Sequence, residues 1–250
     1  MTRSTRTLIG TAMVALALAP PPVSGAWQSE VELLLLPVRV HLLTSGTTPE
    51  LNSTLTGDEI RQVFVEVNAV WQQAGIRWDV ESVLREQAQN EEAFPAARET
   101  GRSGRGRFRS ILLEVCPEDQ WLRGAWNVCV IREFPVPAGG VFFPERRQVL
   151  WSELNPRGQM HATILAHELG HSLCLRHDSG SPNNLMRGGP AQGQRRGAGG
   201  GAGGGAASPT PRDPSTATEL TAAQIAIARG QAATGSPQGL DNSCRDGAAR

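Results

Sequence analysis

Residues 167–178, HELGHSLCLRHD, constrain this chain more than any other stretch. They hold three of its five histidines. Side chains four apart on an α-helix stack on one face, so His167 and His171 point the same way if the segment is helical. Glu168 is then rotated by about a quarter-turn, beside that face rather than on it. His177 lies six residues beyond His171, about 120° off the stripe on a continued helix. It can meet the other two histidines only if the helix stops and the chain turns back sharply between them. Glycine makes such a turn at least cost, because it adopts positive φ freely.

Two imidazoles on one helical face can give two nitrogens to one metal ion. A carboxylate beside them can take a proton from water without occupying a ligand position. That is the arrangement of a zinc hydrolase, with a third ligand from elsewhere and an open fourth position. His167, His171 and His177 are therefore the candidate metal ligands, and Glu168 the candidate general base. Met160 and Ile164 continue the stripe backward and are expected to pack below the site. His161 is off the metal face and reads as a surface or packing histidine; His41 falls in the first expected strand and reads as structural rather than a ligand.

With these residues in place, the segment resembles the metzincins, zinc endopeptidases carrying H-E-x-x-H-x-x-G-x-x-H. Cys174 stands where that pattern has glycine. A left-handed backbone costs an ordinary residue about 1–2 kcal/mol, which packing or a disulfide can offset. The resemblance continues in Asn184-Leu185-Met186, where Met186 would supply the family's methionine turn under the metal. It covers most of residues 36–232, interrupted by a glycine-rich tract. It implies one catalytic Zn2+ on His167, His171 and His177, with Glu168 activating water. It also implies a protein or peptide substrate extended along an edge strand at residues 139–143, and a specificity pocket lined by residues 187–190. Asp178, directly after His177, would orient groups below the zinc, as in the adamalysin-like branch. The chain has no tyrosine, which excludes the variant with a tyrosine ligand.

The resemblance implies an α+β fold: a metzincin-like zincin domain with a twisted mixed sheet, a long active-site helix, the methionine turn and a C-terminal helix. Alternation and apolar runs place strands at residues 36–43, 76–83, 110–116, 127–134, 139–143 and 148–154. Helical spacing places helices at 56–75, 155–173 and 220–232, the last opened by a Thr221/Gln224 capping box. The arginine-rich residues 87–110 read as a solvated loop.

Residues 1–26 read as a signal peptide: Arg3 and Arg6, an apolar run, then small residues. Residues 27–187 form the main part of the metalloprotease domain. Residues 188–218 form a flexible Gly/Pro-rich insertion, 219–233 the domain's C-terminal helix, and 234–250 a tail. Four cysteines, Cys116, Cys129, Cys174 and Cys244, suit two disulfides in an exported chain, with three possible connectivities. Cys174 can pair with Cys244 or with another of them. All 24 basic residues are arginine, matched by 24 acids. Losing Arg3 and Arg6 leaves a net charge of about −2, which gives no pull toward nucleic acid or anionic membrane. The expected protein is a secreted or periplasmic zinc endopeptidase with no stable membrane insertion after signal cleavage. The alternatives are an inactive binding protein of the same fold and a zinc hydrolase of non-protein substrates.

Overall fold

The computed structural model describes residues 32–102, 108–154, 160–188, 217–235 and 237. The expected signal peptide, nearly all of the glycine-rich insertion, most of the tail and Cys244 lie outside the described residues. No helix among the described residues is long and apolar enough to cross a membrane.

The fold is α+β. Five strands form one mixed sheet in the order β2-β1-β3-β5-β4. They are β1 (Leu34–Thr44), β2 (Ile76–Gln87), β3 (Trp126–Glu133), β4 (Gly140–Phe143) and β5 (Gln148–Leu154). The β1–β2, β1–β3 and β3–β5 pairs are parallel, and β4 pairs antiparallel with β5 at the sheet edge. Helices cover both faces, so β3 and β5 are apolar and buried along most of their length, as interior parallel strands must be.

On one face lie α1 (Gly57–Trp71) and α4 (Ala162–Ser172). In α1, Ile60, Val63, Phe64, Val67, Val70 and Trp71 form the buried stripe. Thr56 and Glu59 close a capping box at its start, and Gly75 ends the following 3-10 turn at φ 60°. Trp71, Trp78 and Trp126 meet edge to face, with centroids 5.9 and 5.5 Å apart, and anchor this core.

On the other face lie α2 (Ala93–Arg102) and α3 (Phe108–Leu112), followed by a 3-10 turn, Leu113–Val115. Two expectations fail here. The stretch at 110–116 is helical rather than a strand, and the polar segment before it contains α2 rather than only loop. Leu112, Val115 and Cys116 are fully buried at helical spacing against the second core. Ala93, Phe94 and Ala97 do the same for α2. Cys116 is bonded to Cys129 of β3, which ties this layer to the sheet.

The site-bearing helix also begins later than expected, at Ala162 rather than near residue 155. The C-terminal helix α5 (Ala222–Ala232) has the expected Thr221/Gln224 capping box.

Candidate metal centre

His167 and His171 project from one face of α4. The helix then ends in a Schellman turn, with Leu175 N–H donating to Gly170 O and Cys174 N–H to His171 O, both at 3.0 Å. Cys174 is the left-handed residue of that turn, at φ 64°. It therefore takes the backbone role of a glycine at a cost of about 1–2 kcal/mol. Cys174 is disulfide-bonded; Cys244 lies outside the described residues. The reversal brings His177 back to the helix.

The three Nε2 atoms converge. His171 Nε2 lies 3.0 Å from that of His167 and 3.1 Å from that of His177, and the His167–His177 separation is 3.3 Å. Tetrahedral ligands about 2.05 Å from a zinc ion stand about 3.3 Å apart, so the cluster has the size of a three-nitrogen metal site. The tautomers agree with this. His167 Nδ1 donates to Leu185 O at 2.6 Å and His171 Nδ1 to Leu175 O at 2.8 Å. A carbonyl only accepts, so each Nδ1 holds the ring's proton and each Nε2 presents a lone pair. Two lone pairs facing each other at 3.0 Å lack a proton between them and suit a cation. Burial depresses all three imidazoles, His171 down to about 3, with the His167 and His177 charges adding to the effect. The rings are therefore neutral near pH 7, as candidate metal ligands must be.

Glu168 stands beside the cluster, buried at 8% exposure. Burial pushes its carboxyl up to about 7, while the Arg109 charge and a hydrogen bond from Phe142 N–H pull the other way. Glu168 packs against the edge strand: a Cβ on Gly140 would stand 2.6 Å from its Cγ.

The turn at residues 184–187, shortly after His177, supports the cluster. Arg187 N–H donates to Asn184 O at 3.0 Å and closes it. Asn184 Oδ1 accepts from Met186 N–H at 2.8 Å. Leu185 supplies the carbonyl that orients His167. Met186 is fully buried, and its Sδ would lie 2.5 Å from a Cβ on Gly170, so the helix meets the turn where it has no side chain. A Cβ on Gly188 would stand 3.2 Å from Cγ and Nδ1 of His177, so the same segment also backs the third histidine. The turn is itself pinned by α5 and the residues before it. Leu185 N–H donates to Glu219 O at 2.7 Å, and the side chains of Asn184 and Gln224 exchange hydrogen bonds of 2.9 and 3.2 Å.

Other candidates fall elsewhere. Asp178 meets Met186 through its backbone, N–H to O at 2.8 Å, while its carboxylate accepts Gly180 N–H and closes a local turn. Met160 is 46% exposed rather than packed under the site, and Ile164 packs against Gly139. His41 is fully buried and links three strands through Glu86, at 3.2 Å, and Asn127, at 3.1 Å. Sequence reasoning missed Arg109, whose Nη2 donates to Phe142 O at 2.5 Å. Four other arginines nearby mask it in the sequence.

No family model matches the sequence, and neither does any curated protein. Among solved structures, the chain is similar to archaemetzincin from Methanopyrus kandleri at 12% identity, over 78% of this chain and 94% of that one, with a TM-score of 0.45. It is also similar to a chain of a chaperone–substrate complex at 15% identity, over 82% of this chain and 36% of that one, with a TM-score of 0.42. Neither likeness is strong enough to carry a functional conclusion. The site defines itself by its own groups: three convergent imidazole nitrogens and a buried carboxyl beside the outermost strand of the sheet.

Proposed function

We propose that the protein is a secreted zinc-dependent endopeptidase of the metzincin type. The observation that carries the reading is the convergence of three Nε2 lone pairs, two of them fixed by Nδ1–carbonyl bonds, next to the buried Glu168. His167, His171 and His177 would hold the ion. When bound, zinc supplies Lewis acidity toward the scissile carbonyl and toward a water molecule.

Glu168 would take a proton from water at the site and pass it to the leaving amine. Burial raises the carboxyl in the metal-free site, and a cation bound beside it would favour the ionised form that accepts a proton. The Leu185 and Leu175 carbonyls keep the first two imidazoles aimed and raise their basicity as ligands. Met186, buried against Gly170, would serve as the family's methionine turn. An extended peptide adds to the open side of β4, where backbone pairing accepts many sequences.

Purified mature protein, assayed for zinc and incubated with an unfolded protein pool, tests the reading. It predicts about one zinc per chain and peptide-bond cleavage that stops with chelator and returns with zinc. Zinc bound at that stoichiometry with no cleavage of any protein would replace it with a binding role.

A further inference from the structure

The edge strand that would receive a peptide is almost closed from within the chain. β4 pairs inward with β5 in a register that sets Val141 opposite Leu150 and Phe143 opposite Gln148. Ser152 N–H donates to Gly139 O, 3.0 Å, one step further along the same ladder. The hydrogen-bonded pairs of an antiparallel ladder alternate. Residues 139, 141 and 143 therefore turn their peptide groups toward β5, and Gly140 and Phe142 turn theirs to the open side. An added strand can use only those outward groups.

The carbonyl of Phe142 is already engaged: it accepts from Arg109 Nη2. Arg109 reaches round the sheet edge from α3, which belongs to the opposite layer. That layer is held on both sides of β4. A Cβ on Gly101 of α2 would overlap Val136, just before the strand, and Arg146, just after it, donates to Leu113 O at 2.8 Å. The Cys116–Cys129 bond fixes the end of the same segment to β3.

We infer that Arg109 is a specificity-determining residue: it caps the carbonyl of Phe142 and stops the substrate ladder at Gly140. The inference rests on the endopeptidase reading for its substrate and adds to it the substrate's shape. The site takes peptides that extend only briefly on the Phe142 side of the scissile bond and gain little from further residues there. Flexible, unpaired segments fit this requirement better than a long strand laid along the edge.

The test uses the zinc-loaded full chain carrying Glu168→Gln, so that peptides bind without being cut. One parent peptide is lengthened residue by residue at its N-terminus in one series and at its C-terminus in another. Binding is followed by fluorescence anisotropy. With Arg109 present, affinity should rise along one series and stay flat along the other. Arg109→Met should restore a gain in the flat series of roughly fivefold, the worth of one backbone hydrogen bond. Arg109→Lys, which keeps the charge but loses the planar fork, separates capping from electrostatics. A partial gain is expected, and a flat series identical to that of Arg109 would overturn the capping role. Zinc content and urea unfolding of each variant are measured alongside. If Arg109→Met fails to fold, Arg109→Lys alone decides between the outcomes.

Equal rises in both series with Arg109 present, no change on its replacement, or no peptide binding at all would each overturn the inference. If the peptides bind as described but the protein with Glu168 intact never cleaves them, the endopeptidase reading fails while the cap stands.

Discussion

Replacing Glu168 by Gln should do two opposite things, and together they test how this carboxyl is used. Glu168 is buried, and its carboxyl is raised from an ordinary 4.5 to about 7. The folded state therefore holds the proton more tightly than the unfolded chain does. Its contribution is fully present below about pH 4.5 and is lost as pH rises through about 7. Each tenfold change in proton affinity is worth about 1.4 kcal/mol, so charging the folded site costs about 3 kcal/mol. About 2.5 kcal/mol of that falls between about pH 5 and about pH 8. Gln keeps the shape and can still accept the Phe142 N–H, but it has no charge to bury.

In chelator-treated protein, urea unfolding at those two pH values should show the wild type losing about 2.5 kcal/mol relative to Glu168→Gln. The depressed histidines titrate in both proteins and cancel in the comparison. In zinc-loaded protein the same change should lower peptide hydrolysis at least about a hundredfold, with zinc retained. A flat difference between the two pH values would refute burial as the cause of the raised carboxyl. Near-normal hydrolysis with zinc bound would remove Glu168 as the base.

His177→Ala should weaken zinc binding by more than about a hundredfold, measured by competition with a chromophoric chelator; full retention takes His177 out of the ligand set. Gly170→Ala drives a Cβ to 2.5 Å from Met186 Sδ and should cost about 1–3 kcal/mol in urea unfolding. An unchanged midpoint would mean the methionine moves aside freely. Under reducing conditions, Cys174→Gly should be more stable than the reduced wild type by about 1 kcal/mol, because glycine accepts φ 64° without strain. A less stable variant would show that the thiol's packing outweighs the backbone term.

Local chemistry made much of this legible in the sequence. Gly75 and the 60-64-67-71 spacing marked α1, and the Thr221/Gln224 box marked α5, because those signals act within a few residues. The four-residue spacing of His167 and His171, and the need for a left-handed residue before His177, followed from helix geometry alone. What escaped depends on distant partners. Residues 110–116 are as apolar as a strand, and only the core across the sheet turns them into helix. Ala93, Phe94 and Ala97 are too small a stripe to stand out among charged neighbours. Nothing in the local sequence sets Arg109 apart from the arginines around it, and Gly140 and Gly170 matter only because Glu168 and Met186 come against them.

The Asn184–Gln224 pair spans 40 residues, with the glycine-rich tract between its ends. Through Leu185 the aim of His167 depends on this clasp, so the centre is assembled from two pieces of chain. A single proteolytic nick within 189–216 would not remove any ligand or base. Once the Cys174 disulfide is also reduced, it would turn an intramolecular clasp into an association between two fragments, with the linker's high effective concentration gone. Nicked and reduced protein would then hold added zinc at high protein concentration and lose it on dilution, whereas nicked but oxidised protein and the intact chain would be indifferent to dilution.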